Sequence, residues 1–230
     1  MPTLILARHG RSTANTEGIL AGRRPGIALD DLGRSQAMGI GERLRGVELA
    51  LAVHSPLQRC EETLHLALDS WAGGTPPVHA DEGVIECDYG SWTGRTLKDL
   101  GSEELWTTVQ QRPSAVVFPE GEAMDAMRER VVAAVHGWNA RLGERDAWLL
   151  VAHADPIKAI LSDALAQPFD QFQRIGVDPA SVSVVHYPGA DKPPFVVTVN
   201  SLSGQVRTFV GRFTEAHGGP EPGGGAGQAE

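Results

Sequence analysis

Three short apolar runs in separate parts of the chain lead into histidines and arginines. Arg8 and His9 follow the first run and His153 follows the third, whereas Arg59 lies about one helical turn beyond the second. A guanidinium presents paired N–H donors that match the oxygens of a phosphate group in geometry and charge. A neutral imidazole can attack phosphorus and form a covalent phosphohistidine, which divides a phosphoryl transfer into two steps. A second imidazole, when protonated, can stabilise the charge on the transferring oxygens. Grouped around one spot, these four side chains would bind and transfer a phosphoryl group.

The apolar runs that precede these residues are typical of strands that are covered on both faces. Five such runs, partly β-branched, lie at 4–7, 49–53, 147–152, 182–187 and 195–199. Apolar residues at helical spacing lie between them and predict helices within 37–44, 57–71 and 124–138. This alternation predicts an α/β fold, a three-layer α/β/α sandwich with a mainly parallel central sheet. Ligands of such sheets bind beyond the carboxyl ends of the strands, where the four side chains would converge.

Two of the strand ends continue into sequences that are typical of a helix N-terminus. Ser55-Pro56 and Asp155-Pro156 each combine a common N-cap residue with a proline, which is favoured at the first helical position. We therefore expect helices to begin there, with their free amide groups and positive dipole ends facing the phosphate site. Arg59, one turn into its helix, would return toward the same site.

The motifs RHGRSTAN, SPLQRCEET, IECDYGSWTG and VAHAD occur in this order. Together they resemble the histidine phosphatase superfamily, the phosphoglycerate-mutase-like proteins, over about residues 3–200. The resemblance implies that His9 is the phosphorylated nucleophile. It implies a phosphate pocket made of Arg8, Arg59 and His153. It also implies that hydrolysis needs no metal and no dissociable cofactor.

The transfer also needs an acid for the leaving oxygen, and Glu86 in GVIECDYGSWTG is the candidate. The resemblance implies that Glu86 first donates this proton and then serves as base for the incoming water, and that Asn15 is a further phosphate contact. The chain departs from the family pattern at Arg11, where glutamate is common, and at Ala154, where glycine is common. Arg11 would either add positive charge near the site or be solvated, and the added methyl of Ala154 is not expected to abolish activity.

The resemblance covers both hydrolases and mutases. The stretch 89–119 is shorter than the corresponding insertion of the mutases, and FPEGEAMDAM resembles a segment of the phosphatase branch, so a phosphatase for small phosphomonoesters is favoured. The alternative is a phosphomutase of the phosphoglycerate mutase type, because ECDYGSWTG and VDPASVSVV resemble actinobacterial proteins described as phosphomutases. A noncatalytic phosphate-binding protein and transfer of phosphate between proteins through His9 also stay open. The residues that select the substrate are expected in 88–120, at Arg23 and in the loop after Val177.

Composition limits the remaining function classes. The 230 residues are 41% hydrophobic, and no apolar run approaches the roughly 18 to 20 residues that span a bilayer. The net charge of −9 argues against nonspecific nucleic-acid binding, which needs a basic face. Two cysteines, Cys60 and Cys87, are too few for a disulfide framework or a four-ligand zinc site, and no histidine pair has metal-ligand spacing. With no signal peptide visible, the expected location is the cytoplasm.

The chain is expected to form one domain over 1–213, with 88–120 as an insertion over the active site. Residues 214–230 are Gly-rich and almost without apolar side chains, which predicts a flexible tail. The expected partner is a small phosphorylated metabolite. Dimers are common among the proteins that the chain resembles, so a homodimer stays an open alternative. His54 is expected to pack at its strand end rather than to take part in catalysis.

Overall fold

One six-stranded sheet with the order β3-β2-β4-β1-β5-β6 forms the centre of the protein, which is represented by a computed structural model that describes residues 2–189 and 192–210. The strands are β1 (Thr3–Arg8), β2 (Leu49–His54), β3 (Val78–Ala80), β4 (Ala147–Ala152), β5 (Val182–His186) and β6 (Phe195–Ser201). β1, β2, β3 and β4 run parallel, whereas β5 is antiparallel to β1 and β6 is antiparallel to β5. The predicted mainly parallel sheet is therefore confirmed. The three residues of edge strand β3 are all exposed and carry no apolar run, so no strand was predicted there.

Helices lie on both faces of the sheet. They are α1 (Thr13–Glu17), α2 (Asp31–Arg43), α3 (Gln58–Ser70), α4 (Leu97–Leu100), α5 (Glu104–Gln111), α6 (Met124–Asn139), α7 (Ala154–Ala164) and α8 (Arg207–Val210). Short 3-10 turns occur at Glu82–Val84, Gly90–Trp92, Pro113–Ala115 and Phe169–Arg174. The three apolar stripes of the sequence correspond to α2, α3 and α6. Within the described ranges, none of the helices has the length and apolar character needed to cross a membrane.

Alternate residues of β1 enter two separate cores. Leu4 and Leu6 pack in a cluster with apolar residues of α6 and α7, whereas Ile5 and Ala7 pack in a cluster with residues of α2 and α3. All four side chains are fully buried, and each large one contributes roughly 1.5–3 kcal/mol of transfer free energy. Burial on both faces confirms the three-layer sandwich and explains why the β1 sequence is continuously apolar.

The loop that leaves β1 is supported by a close backbone contact with α2. A Cβ atom on Gly33, in the first turn of α2, would lie 1.9 Å from the carbonyl oxygen of Arg11. Asp30 caps this helix, because its carboxylate accepts a hydrogen bond from the Gly33 N–H at 2.7 Å. Only glycine therefore allows the start of α2 to lie directly under the loop that follows His9.

Both predicted helix N-caps are wrong. α3 begins at Gln58 with Leu57 as its N-cap, and α7 begins at Ala154 with His153 as its N-cap. The Ser55 hydroxyl hydrogen-bonds to the His153 ring, and the Asp155 carboxylate accepts from a tyrosine, so tertiary partners occupy these side chains. Polar side chains of this kind serve either local caps or distant partners, and here the distant partners prevail.

The predicted insertion, 88–120, contains α4, α5 and two of the 3-10 turns. Its buried side chains join the core on the α6 and α7 face: Tyr89, Trp92, Leu100, Val109, Val116 and Phe118. The segment is thus anchored through its own apolar residues. Its placement over the active site stays a prediction, and so does the extent of the domain. The predicted tail, 214–230, lies outside the described residues.

Candidate active site

The loops that follow β1 and β4 bring the two predicted histidines together. Arg8 ends β1 in register with Ala152, which ends β4, and the His9 N–H donates to the Ala152 carbonyl oxygen at 3.0 Å. His153 follows Ala152 directly. As a result, the rings of His9 and His153 meet edge to face, with their centroids 5.3 Å apart and an interplanar angle of 64°. The sheet register places both imidazoles at one point.

The surroundings of His9 select the tautomer that a nucleophile requires. Its Nδ1 lies 2.7 Å from the carbonyl oxygen of Gly10, which can only accept, so Nδ1 carries the proton. Nε2 therefore keeps its lone pair, toward which Arg59 Nε donates at 3.3 Å. Burial, and next the charges of Arg59 and Arg8, hold the pKa of His9 well below its ordinary value. His9 is thus neutral and nucleophilic at Nε2.

Arg59, on the first turn of α3, is tied to the loop that carries His9. Its Nη2 donates to the Gly22 carbonyl oxygen at 2.8 Å, and the residue is only 2% exposed. One turn further along, the Thr63 hydroxyl donates to the Arg59 carbonyl oxygen and accepts from the Gly10 N–H. These bonds hold the guanidinium beside His9 and join α3 to the end of β1.

Arg8 brings the second guanidinium. Its Nη1 donates to the Val177 carbonyl oxygen at 2.7 Å, whereas its buried Nε has no hydrogen-bond partner among the described residues. Burial lowers the pKa of Arg8, and the nearby carboxyl groups of Glu86 and Asp155 oppose that shift. A buried guanidinium donor without a partner favours an anionic ligand oxygen, because an unpaired buried donor is costly.

His153 is fully buried behind His9. Its Nε2 lies 2.7 Å from the Ser55 hydroxyl oxygen, and the Cys60 sulfur lies 3.5 Å from the same nitrogen. Burial, and next the charge of Arg59, hold the pKa of His153 well below its ordinary value. The ring is therefore neutral in the free protein. A phosphate dianion beside the ring would favour its protonated form, which is the form that can stabilise the charge on the transferring oxygens.

Glu86 combines burial with a nearby negative charge. It is 8% exposed, and its Oε1 accepts a hydrogen bond from the Cys87 N–H at 2.9 Å. Burial, and next the carboxylate of Asp155, raise the pKa of Glu86 to about 7, although the Cys87 N–H and the two arginines oppose this shift. Near neutral pH much of Glu86 is protonated, as a general acid must be.

Asp155, at the start of α7, is a neighbour that the sequence analysis treated only as a helix cap. Its Oδ2 accepts from the Tyr89 hydroxyl at 2.8 Å, and its Oδ1 lies 3.4 Å from Lys158 Nζ. Ser55 was similarly interpreted as a cap, but it contacts His153. The signal for both was their position inside the quoted motifs, next to residues that do chemistry.

The other two predicted ligand contacts, Asn15 and Arg23, make hydrogen bonds of their own within the protein. Asn15 is exposed, and its Oδ1 accepts from the Ser12 N–H and hydroxyl in a capping box at the start of α1. Arg23 Nε donates to the Glu86 carbonyl oxygen at 2.9 Å, and its side chain is 33% exposed. Their contacts with substrate stay predictions.

The two departures from the family pattern have defined positions. Arg11 Nε lies 2.6 Å from the Asp30 carboxylate, so the guanidinium is paired with the N-cap of α2. Ala154 is the first residue of α7. Cys60 and Cys87 are buried free thiols, and burial raises the pKa of both, that of Cys60 to about 12. Such thiols are protonated and unreactive, in agreement with the inert role expected for them.

No group of three His, Cys, Asp or Glu side chains suited to a metal ion occurs in residues 2–189 and 192–210. The expectation that hydrolysis needs no metal stays a prediction. His54 is buried, and its Nδ1 lies 2.9 Å from the Ser55 carbonyl oxygen at the end of β2, where packing was expected.

Phosphatases and mutases are among the known proteins to which the chain is similar. The chain is 28% identical to phosphoserine phosphatase 1 of Hydrogenobacter thermophilus over 191 residues, which is 81% of this chain and 87% of that protein. It is also 28% identical to the 2,3-bisphosphoglycerate-dependent phosphoglycerate mutase of Thermoplasma acidophilum over 187 residues, covering 80% and 87%. The solved structure of Bacillus stearothermophilus YhfR superposes with a TM-score of 0.79 at 26% identity, covering 88% of this chain and 98% of that one.

The family model of the histidine phosphatase superfamily (branch 1) matches residues 4–201, from the second residue of β1 to the last residue of β6. This match contains all four quoted motifs. It confirms the prediction of a phosphatase-type enzyme, while the narrower actinobacterial resemblance stays a prediction. The chain belongs to branch 1 of the histidine phosphatase superfamily.

Proposed function

We propose that this protein hydrolyses small phosphomonoesters in two steps, through a phosphohistidine formed on His9. The observation that carries this proposal is the state of His9, a neutral imidazole whose Nδ1–H is held by the Gly10 carbonyl oxygen. Its Nε2 lone pair lies among two buried guanidiniums, where the phosphoryl group of a substrate would be bound.

In the first step, His9 Nε2 attacks phosphorus while the bond from phosphorus to the leaving oxygen breaks. The Glu86 carboxyl group gives its proton to that oxygen, so the leaving group departs as a neutral alcohol. Arg8 and Arg59 stabilise the charge on the equatorial oxygens, and His153 supports them once it is protonated. Asn15 and Arg23 are proposed as outer contacts with the substrate.

In the second step, the Glu86 carboxylate accepts a proton from water as the water oxygen attacks phosphorus. The bond from phosphorus to Nε2 breaks and its electron pair returns to His9. Inorganic phosphate leaves, and Glu86 is again protonated, so the site is ready for another cycle.

Hydrolysis is proposed over phosphoryl transfer to a returning product because the stretch 89–119 is short. A mutase must retain its product until that product takes the phosphoryl group back, which requires water to be excluded. The phosphomutase stays the second candidate, supported by the equal 28% identity to a phosphatase and to a phosphoglycerate mutase. A small phosphorylated metabolite as substrate, a cytoplasmic location and a homodimer complete the proposal.

Turnover of the purified protein in the presence of a chelator tests this proposal. The panel contains 3-phosphoglycerate, sugar phosphates, nucleotides and an aryl phosphate, and both released phosphate and isomerised product are followed. Phosphate release that disappears in His9→Ala supports the hydrolase. Isomerised product without free phosphate identifies a mutase. Ligand binding with neither product would support the noncatalytic alternative, or transfer to a protein acceptor if phosphohistidine still forms.

A further inference from the structure

Glu86 lies in a segment that neither the sheet nor a long helix supports. Between the 3-10 turns at Glu82–Val84 and Gly90–Trp92, the backbone has no regular secondary structure. A general acid must nevertheless remain within hydrogen-bond reach of the oxygen that it protonates. Other groups must therefore hold this stretch. We call residues 83–88, which include the end of the first 3-10 turn, the acid segment.

Arg130, on α6, binds the acid segment through three backbone carbonyl groups. Its Nη1 donates to the carbonyl oxygens of Gly83 at 3.1 Å and Ile85 at 2.8 Å, and its Nη2 donates to that of Glu86 at 3.0 Å. The rigid fork of a guanidinium can serve several acceptors at once, which an ammonium cannot do in this geometry. One side chain thereby sets the path of the backbone up to Glu86.

Glu122 fixes the orientation of that guanidinium. Its Oε1 lies 2.7 Å from Arg130 Nη2, and its Oε2 lies 3.2 Å from Arg130 Nε, so the pair is bidentate. The same Oε1 accepts from the Asp88 N–H at 3.0 Å. Burial acts to raise the pKa of Glu122, but the bonds from Arg130 and Asp88 hold that pKa below its ordinary value, so the carboxylate stays ionised.

The turn that presents Glu122 packs directly on the acid segment. The Glu122 N–H donates to the Asp88 carbonyl oxygen at 2.9 Å, and a Cβ on Gly121 would lie 2.3 Å from that oxygen. Glu120 has a φ of 60°, a conformation that is strained for a residue with a side chain. The backbone accepts this strain at the point where it places Glu122 against the acid segment.

We propose that Glu122 and Arg130 are positioning residues for proton transfer, which hold the Glu86 carboxyl group where it protonates the leaving oxygen. This inference rests on the proposed function of Glu86. Arg23 contributes to the same network, because it donates to the Glu86 carbonyl oxygen at 2.9 Å and to Glu122 Oε1 at 3.0 Å. The loop that contains Arg23 is thereby joined to the acid segment.

The test measures proton donation separately from phosphate binding. Glu122→Gln and Arg130→Lys are assayed on an alkyl phosphate, glycerol phosphate, whose leaving group needs a proton, and on p-nitrophenyl phosphate, whose leaving group needs little protonation. The rate compared is kcat/KM, which reports the first step only, because the second step, with Glu86 as base, is common to both substrates. We expect kcat/KM on the alkyl phosphate to fall about 10- to 100-fold and kcat/KM on the aryl phosphate to change by less than about threefold. An equal loss on both substrates in both variants would overturn the inference.

The matched controls are Asp125→Asn and Arg128→Lys, the same types of substitution within α6, the helix that carries Arg130. These two residues form an ion pair of 2.8 Å that does not include the acid segment. Their ratio of alkyl to aryl activity should stay at the wild-type value. If either control changes that ratio as much as Arg130→Lys does, the effect belongs to α6 in general and the inference is wrong.

Combination with Glu86→Gln separates the inference from the function on which it rests. The double variant Arg130→Lys/Glu86→Gln should be no slower on the alkyl phosphate than Glu86→Gln alone, because Arg130 acts only through Glu86. If Glu86→Gln is selective for leaving group and the Arg130 and Glu122 variants are not, the inference alone fails. If Glu86→Gln is itself unselective, the assignment of Glu86 as the acid fails, and the inference fails with it. Should Arg130→Lys not fold, Glu122→Gln still decides the question.

Discussion

His9 and His153 follow the last residues of adjacent parallel strands, β1 and β4. Glu86, in contrast, lies between two 3-10 turns and not at the end of a strand. The positions of the two histidines depend on backbone hydrogen bonds of the sheet, such as that from the His9 N–H to the Ala152 carbonyl oxygen. The position of Glu86 depends on side chains that arrive from distant parts of the chain, above all Arg130 and Glu122.

This difference separates two catalytic tasks. Phosphate binding and nucleophilic attack depend on the sheet, whose backbone bonds are numerous and buried. Proton donation depends on a few side-chain bonds, and each charge-assisted bond contributes only about 1.5–3 kcal/mol. The protein is therefore expected to lose proton donation by single substitutions that leave the phosphate site intact. Three substitutions and a change of pH test whether phosphate transfer and proton donation are held separately in this way.

Replacing His9 by alanine should have the largest effect, because no covalent intermediate can form without the imidazole. We expect kcat to fall by more than about 10⁴-fold on alkyl and aryl phosphates alike. Rapid quench with radiolabelled substrate should trap a protein-bound label that is stable in base and labile in acid, as a phosphohistidine is, in the wild type and none in the variant. Substantial turnover in His9→Ala, with an intermediate on another residue, would contradict the assignment.

Glu86→Gln should give the next largest effect, and it should be confined to poor leaving groups. The amide cannot donate a carboxyl proton, so kcat/KM on an alkyl phosphate, which reports the first step alone, is expected to fall about 10²- to 10⁴-fold. The loss on p-nitrophenyl phosphate should stay within about tenfold, because that leaving group is stable as an anion. Steady-state kinetics on the two substrates provide the check, and equal losses would count against Glu86 as the acid.

Ser55→Ala should have a smaller effect that is shared by both substrates. It removes the 2.7 Å hydrogen bond to His153 Nε2 and leaves a buried ring nitrogen without that partner, which costs roughly 1–3 kcal/mol. The expected loss of kcat is about 10- to 100-fold. Ser162→Ala is the matched control, since Ser162 is a buried serine of α7 whose hydroxyl has no hydrogen-bond partner among the described residues. A loss restricted to the alkyl phosphate would place Ser55 with the acid instead.

The pH dependence should distinguish the two regions in the wild-type enzyme. The pKa of His9 lies well below its ordinary value, so the nucleophile stays neutral through neutral pH. The pKa of Glu86 is raised to about 7, so the acid is protonated below that pH and loses its proton above it. The ratio of alkyl to aryl kcat/KM should therefore be constant below about pH 6 and fall about fivefold between pH 7 and pH 8. A ratio that does not change across this range would contradict the role of Glu86.

The sequence was most informative where the sheet determines position. Continuous apolar runs identified five of the six strands, because burial on both faces leaves a pattern that needs no tertiary information. Parallel strand ends must share one edge, so Arg8, His9 and His153 could be predicted to meet. The prediction was wrong for Ser55 and Asp155, because the same side chains serve equally well as helix caps, and a linear pattern does not show which partner prevails.

The sequence alone was enough for the fold class, because burial on both sheet faces leaves continuous apolar runs, and its motifs were enough for the family and for the side chains proposed to bind phosphate. How Glu86 is held became visible only in the folded protein. Arg130 lies 44 residues from Glu86, and Glu122 lies 34 residues from Asp88. In the sequence these charged residues look like ordinary surface positions of a helix and a turn. Their convergence on the acid segment depends on where α6 packs, and no local pattern encodes that contact.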